Sequence, residues 1–323
     1  MAKIKFWKYC GRFVLTYIAV FAAVGFIFTN LQVILPETGR TALDFFEPFQ
    51  FSFTEFFRQG IRAGLIALVL YPFYDKLMDG KKGTRLLFAA IWGLSLLGSL
   101  EPQPGSLEGV IYTETTMGEH LLVLVFVAIQ VLIFSRLFLF WEKSALSVDT
   151  ARKEEHKNIE LSKMNRKSLI AYLGRFTLIH FVIYMLIGVV FMQLASYEEA
   201  FLEMEAFELY RPLDSIILPI LVFAGQLIRG PLLALFILPF YDRIIKSKRG
   251  WLLLYGLLLG LLVVSPLWIR ELYIPLNFTQ LADLIGVLQV GLPEIIVQTL
   301  LISILFYKLE RRKYLKNPGL SRA

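Results

Sequence analysis

The stretch Gln59-x-Ile61-Arg62-x-x-Leu65-x-Ala67-Leu68-x-x-x-Pro72-Phe73-Tyr74-Asp75 decides the reading of this chain, because it is written twice. At 167 positions further on stands Gln226-x-Ile228-Arg229-x-x-Leu232-x-Ala234-Leu235-x-x-x-Pro239-Phe240-Tyr241-Asp242. The match runs on through Lys81 and Gly83 to Lys248 and Gly250. Leucines coincide by chance in an apolar chain, but glutamine, arginine, proline, tyrosine and aspartate in one register do not. An upstream block repeats as well. Tyr9-x-Gly11-Arg12-Phe13-x-Leu15 returns as Tyr172-x-Gly174-Arg175-Phe176-x-Leu178, and Gly25, Phe28 and Leu31 return as Gly188, Phe191 and Leu194, all 163 positions on. Downstream the register loosens: Gly93 still matches Gly260, and Glu119 after Gly118 is matched with Glu294 after Gly291. Self-similarity at so long a period signals a duplicated structural unit.

The composition says where that unit lives. The 323 residues are 57% hydrophobic and only 18% charged, with a mean hydropathy of +0.63. Soluble domains run nearer half apolar and a quarter charged, so a disordered protein, a disulfide-stapled secreted module and an ordinary soluble enzyme are excluded. A polytopic membrane protein fits. The net charge of +7 would suggest nucleic acid in a soluble protein, but here its distribution explains it and no nucleic-acid partner is expected. Cys10 is the only thiol, so no disulfide forms within the chain. His120, His156 and His180 lie too far apart in sequence for a metal site. Neither a metal nor a cofactor is expected.

Apolar stretches long enough to cross a bilayer, about 17 to 25 residues, are read at 13–34, 57–75, 85–100, 120–141, 175–195, 216–241, 251–268 and 293–308. Every lysine falls on one side of the resulting eight-span topology, from Lys3, Lys5 and Lys8 to Lys308, Lys313 and Lys316. The opposite loops carry Glu37, Asp44, Glu101, Glu108, Glu198 and Glu271, with Arg40, Arg211 and Arg270 as exceptions. By the positive-inside rule both termini are cytoplasmic, in a plasma (inner) membrane. The first span has a copy in mid-chain, where no signal peptide stands, and is read as an uncleaved helix. Four spans per half return the chain to its starting side, so the halves are parallel repeats about a pseudo-two-fold axis along the membrane normal. The expected units are residues 1–141, a charged cytoplasmic linker at 142–170, and 171–323 with its basic tail.

Arg62 and Arg229 are the principal candidate site residues. Each stands 13 positions before the repeated aspartate, about 20 Å along a helix and so near the middle of a hydrocarbon core of about 30 Å. An arginine facing lipid there costs at least about 2.5–3.5 kcal/mol, so each must face protein or a cavity. The functional reading is a paired anion site at the axis, with Gln59 and Gln226 beside the arginines and Glu119 and Glu294 as their outer partners. The competing reading has each arginine in a buried ion pair that fixes packing. Tyr74, Asp75, Tyr241 and Asp242 end spans two and six and read as interface anchors or a cytoplasmic gate.

Other features have plainer readings. Arg12 and Arg175 read as positive-side anchors, and His180 as a packing histidine. Glu101, Glu108, Glu119 and His120 cluster in one outer loop and could perform acid–base chemistry if burial shifted a pKa. His120 has no counterpart in the second half, and no known catalytic motif is present. Aromatic–acidic segments at 45–57 and 201–210, and a third at 270–292, read as amphipathic helices lying in the outer interface.

The expected fold is an all-α integral membrane protein of eight transmembrane helices in two parallel four-helix repeats. The expected function is a transporter or channel for an anionic or amphiphilic solute, with membrane lipids around it. The alternatives are a non-catalytic scaffold that binds a partner membrane protein, and a lipid-modifying enzyme using the outer carboxylates.

Overall fold

The computed structural model describes residues 2–34, 52–79, 82–97, 102, 104–149, 165–195, 210–263 and 278–316. Its helices are α1 (Ala2–Ile34), α2 (Phe53–Leu70), α3 (Tyr74–Leu77), α4 (Gly83–Phe88), α5 (Leu94–Leu97), α6 (Leu107–Tyr112), α7 (Met117–Asp149), α8 (Arg166–Leu194), α9 (Ile217–Ile237), α10 (Tyr241–Lys246), α11 (Gly250–Val263) and α12 (Phe278–Lys316). Among the described residues there is no strand, only a bridge between Thr113 and Tyr210.

Five segments are long and apolar enough to cross a membrane: Lys5–Leu31, Met117–Ala145, Arg166–Leu194, Ile217–Lys246 and Gly291–Lys316. At 1.5 Å per residue each of these spans of 26 to 30 residues exceeds the hydrocarbon thickness. Their flanks expose Leu15, Phe26 and Ile27 on α1 and Leu178, Leu186 and Val189 on α8, surfaces that suit lipid and not water. The protein is therefore an all-α, multi-pass integral membrane protein.

The other three expected spans are shorter or more polar, for identifiable reasons. α2 is 18 residues long and carries Glu55, Arg58 and Arg62. It ends where Pro72, lacking an N–H, turns the chain through a 3-10 segment, Tyr71–Phe73, into α3. Pro239 does the same between α9 and α10. The third span is broken by a π segment, Ala89–Gly93, between α4 and α5, and Gly250–Leu262 is a short apolar helix. The segment expected as a separate interfacial helix at 270–292 runs from Phe278 straight into the last span, passing Pro293 on the way. The segments 45–51 and 201–209, the middle of the linker at 150–164, and Glu101 lie outside the described residues.

α1 packs against α2 and α7, and α4 lies along α7; α8 packs against α9 and α12, and α11 lies along α12. These two groups meet where α11 crosses α2 and α5 and where α9 crosses α5. At that seam the rings of Phe73 and Phe240 stand edge to face at 4.7 Å. Gly93 accepts the ring of Phe236 where no Cβ would fit, and Gly260 accepts Val69 in the same way. Lys76 Nζ donates to the Pro239 carbonyl at 2.9 Å.

Each group is closed at one end by the same polar cluster. Arg12 Nε donates to Glu142 Oε2 at 2.5 Å and Tyr74 donates to Glu142 Oε1 at 2.7 Å. Arg175 Nε donates to Glu310 Oε1 at 2.5 Å and Tyr241 donates to Glu310 Oε2 at 2.8 Å. Aromatic rings wall off both carboxylates. Tyr9 stands over Tyr74 and Phe138 with centroids 5.4 and 5.6 Å away, and Tyr172 over Tyr241 and Phe306 at 5.4 and 5.5 Å.

Candidate functional site

The two arginines occupy different surroundings. Arg62 is fully buried. Its Nη1 donates to Gln59 Oε1 at 3.2 Å, and Gln59 Nε2 donates onward to Glu55 Oε1 at 2.7 Å. These are i, i+3 and i, i+4 contacts along one face of α2. Tyr17 of α1 lies beside the guanidinium. Among the described residues, Arg62 Nε and Nη2 have no hydrogen-bond partner.

Arg229 instead borders an open space. Its Nη1 meets Glu108 Oε1 at 2.5 Å and, more loosely, Gln226 Oε1 at 3.4 Å. The Tyr184 ring of α8 faces the guanidinium with its centroid 5.9 Å from the central carbon, within cation–π range. His180 Nε2 bonds Gln226 Oε1 at 3.1 Å. A cavity of about 470 Å³ adjoins this group, lined by Glu108, His180, Tyr184, Arg229, Glu294 and Gln298 amid apolar side chains such as Met185, Val189, Phe223 and Leu258. Its size falls in the range of about 300–1,000 Å³ usual for small-molecule sites. Among the described residues, Arg229 Nε, His180 Nδ1 and Gln226 Nε2 are buried without a hydrogen-bond partner.

The wall bearing Glu108 comes from the other helix group. Gly105, at φ +88°, turns the chain ahead of α6. Ser106 caps that helix by accepting from Gly109 N at 2.9 Å. α6 then lies against α9, where Ile111 fills the notch at Gly225. Arg211 ties the segment down, its N donating to the Tyr112 carbonyl at 2.7 Å and its Nε to the Ile111 carbonyl at 3.2 Å. The hydroxyls of Tyr112 and Tyr184 are 2.5 Å apart. Burial raises the Tyr112 phenol well above its ordinary pKa, with the Glu108 carboxylate adding to the effect, so this hydroxyl stays protonated.

The structure gives several of the expected site residues local partners. Glu119 was read as an outer partner of the arginines; its Oε2 instead accepts from Thr116 N at 3.1 Å and Thr116 Oγ1 at 2.7 Å, while Glu119 N meets Thr116 Oγ1 at 3.4 Å. That is a capping box opening α7. His120 Nδ1 accepts from Gly105 N at 3.0 Å and so holds the turn before α6. Glu294 lines the cavity and accepts from Gln298 at 2.6 Å. Asp75 and Asp242 stand in the first turns of α3 and α10. Of the expected gate residues, Tyr74 and Tyr241 are the ones that bind buried carboxylates.

Sequence reading missed Glu142 and Glu310, and treated Arg12 and Arg175 as surface anchors. A signal was present. Gln130, Ser135, Phe138 and Glu142 recur as Gln298, Ser303, Phe306 and Glu310, 168 positions on. In that register Glu119 falls opposite Val287 and Glu294 opposite Phe126, so the two glutamates are not counterparts. It also missed the approach of Glu108 to Arg229, which joins residues 121 positions apart.

No protein-family model, curated protein or solved structure matches this chain.

Proposed function

We propose that the protein is a membrane transporter or channel for an amphiphilic solute, which binds in the cavity beside Arg229. The cavity carries this reading: an apolar space inside the bilayer-spanning part, with a buried cation and unsatisfied polar atoms at one end. A solute with a polar head and an apolar body matches that layout. The transporter reading takes the two helix groups as parallel four-helix repeats, residues 1–141 and 171–323, joined by the linker at 142–170. The reciprocal contacts at Phe73–Phe240, Gly93–Phe236 and Gly260–Val69 support a pseudo-two-fold axis between them. Both termini are cytoplasmic in this reading, the membrane is the plasma membrane, and the segment 104–113 covers the cavity from outside.

Arg229, Gln226 and Glu294 are the solute-binding residues here. Arg62, Gln59 and Glu119 serve packing and capping. Purified protein in liposomes should accelerate entry of 1-anilinonaphthalene-8-sulfonate, a fluorescent amphiphilic anion that crosses lipid slowly. Arg229→Gln should lower that flux about tenfold or more while Arg62→Gln does not. Equal flux in folded Arg229→Gln protein would defeat the proposal.

A further inference from the structure

We infer that Glu108 occupies Arg229 as a built-in stand-in for the solute's head group, and that the solute is a single-chain amphiphile ending in a carboxylate. This rests on the cavity reading above but not on flux.

Leaving a buried arginine's charge unmatched is costly, and at Arg229 the match is supplied by Glu108, from a segment distant in sequence. Glu108 Oε1 sits 2.5 Å from Arg229 Nη1, both groups border the cavity, and Arg229 Nε has no partner among the described residues. Arg229 Nε takes no part in the contact. A free carboxylate approaching from the cavity can engage two guanidinium nitrogens in the fork geometry that arginine favours. Exchanging one carboxylate for another leaves the count of charges around the cavity unchanged, Glu294 included. A phosphate monoester would add charge beside Glu294, and a cation would have to approach Arg229, so neither fits as well.

Geometry gives the exchange a direction. Glu108 belongs to a six-residue helix held by a glycine turn at Gly105, by Arg211 and by the Ile111–Gly225 contact. That is a single short helix on the border of the cavity, and the Glu108–Arg229 pair is one of the ties, with the Ser106 cap and the Tyr112–Tyr184 contact, that hold it there. Once displaced, its carboxylate moves away with the short helix that bears it. The apolar remainder of the lining, Met185, Val189, Met192, Phe223, Leu258 and Leu262, receives the chain. Binding and opening of this cover are then one event: the solute's own carboxylate frees the segment that closes over it.

The test is a gain of binding. In nanodiscs, octanoate should raise the thermal midpoint of the wild-type protein, and its apparent affinity is read from the concentration dependence of that shift. Glu108→Gln removes the competitor and should tighten octanoate about tenfold. Arg229→Gln should abolish the octanoate shift, and octanol should respond to neither change. Unchanged or weaker octanoate binding by folded Glu108→Gln overturns the inference, as does tighter binding of octyltrimethylammonium than of octanoate. Should the neutral variant fail to fold, Glu108→Asp withdraws the carboxylate by one methylene and keeps its charge. It too must bind octanoate more tightly than wild type, and unchanged affinity counts against the inference. Octanoate binding as described without anion flux would defeat only the transport reading; flux without the gain would defeat only this one.

Discussion

Phe73 touches its own counterpart: its ring meets that of Phe240, 167 positions away in the repeated stretch, edge to face at 4.7 Å. In a two-fold arrangement a residue that contacts its own counterpart lies on the axis, and contacts off the axis come in reciprocal pairs. Gly93 with Phe236 and Gly260 with Val69 form such a pair. The seam between the two helix groups thus joins matched positions of the repeated sequence.

Both glycines at the seam should resist enlargement. A Cβ at Gly93 would run into the Phe236 ring, and one at Gly260 into Val69. Gly93→Ala and Gly260→Ala should each destabilise by about 1–3 kcal/mol, the usual effect of overpacking. Phe236→Ala should rescue the first and Val69→Ala the second. Double-mutant cycles on thermal unfolding in detergent measure the coupling; independent, additive effects would contradict the reciprocal seam.

The closed end of each group should depend on its glutamate. Glu142 and Glu310 each bind an arginine and a tyrosine while 0% and 2% exposed. Breaking a buried pair from one side costs about 3–5 kcal/mol. Because Arg12 and Arg175 keep 18% and 24% exposure, the lower end applies: about 3 kcal/mol for Glu142→Gln or Glu310→Gln. Tyr74→Phe and Tyr241→Phe lose one hydrogen bond each and should cost about 1 kcal/mol. Thermal midpoints of the four variants test the ranking, and a tyrosine change larger than the glutamate change would reverse it.

Glu119 should behave as a cap. Glu119→Ala opens the capping box with Thr116 and should cost about 0.5–2 kcal/mol, with anion flux intact. Lost flux at wild-type stability would return Glu119 to the solute site.

The all-α, membrane-spanning character was legible because its signal is local. Apolar length depends on neighbours in sequence, and five of the eight expected spans are long and apolar enough to cross a membrane. The burial of Arg62 and Arg229 followed from their depth alone. What stayed hidden depends on distant pairing. Arg12 finds Glu142 across 130 positions, and a basic residue at a span's edge looks the same whether it meets water or a buried acid. The drift of the repeat offset from 163 to 168 hid the kinship of Glu142 with Glu310 and made Glu119 resemble a partner of Glu294. The difference between Arg62 and Arg229 was legible only in part. Glu55, which takes the Gln59 amide, stands where the second half has Val222, but the arrival of Glu108 beside Arg229 leaves no mark in the flanking sequence.

The central claim is that solute passes through the cavity covered by the segment around Glu108, and a reversible lock tests it most directly. A Cβ built at Gly225 stands 2.8 Å from Ile111 Cγ1, one bond from the Ile111 Cβ, which puts the two Cβ positions within the disulfide range of about 3.5–4.5 Å. Ile111→Cys with Gly225→Cys, in a Cys10→Ser background, should form that bond on oxidation. Flux of 1-anilinonaphthalene-8-sulfonate into proteoliposomes should then fall to the protein-free level and recover on reduction. Oxidised, cross-linked protein that carries the anion as fast as the reduced form would contradict the account.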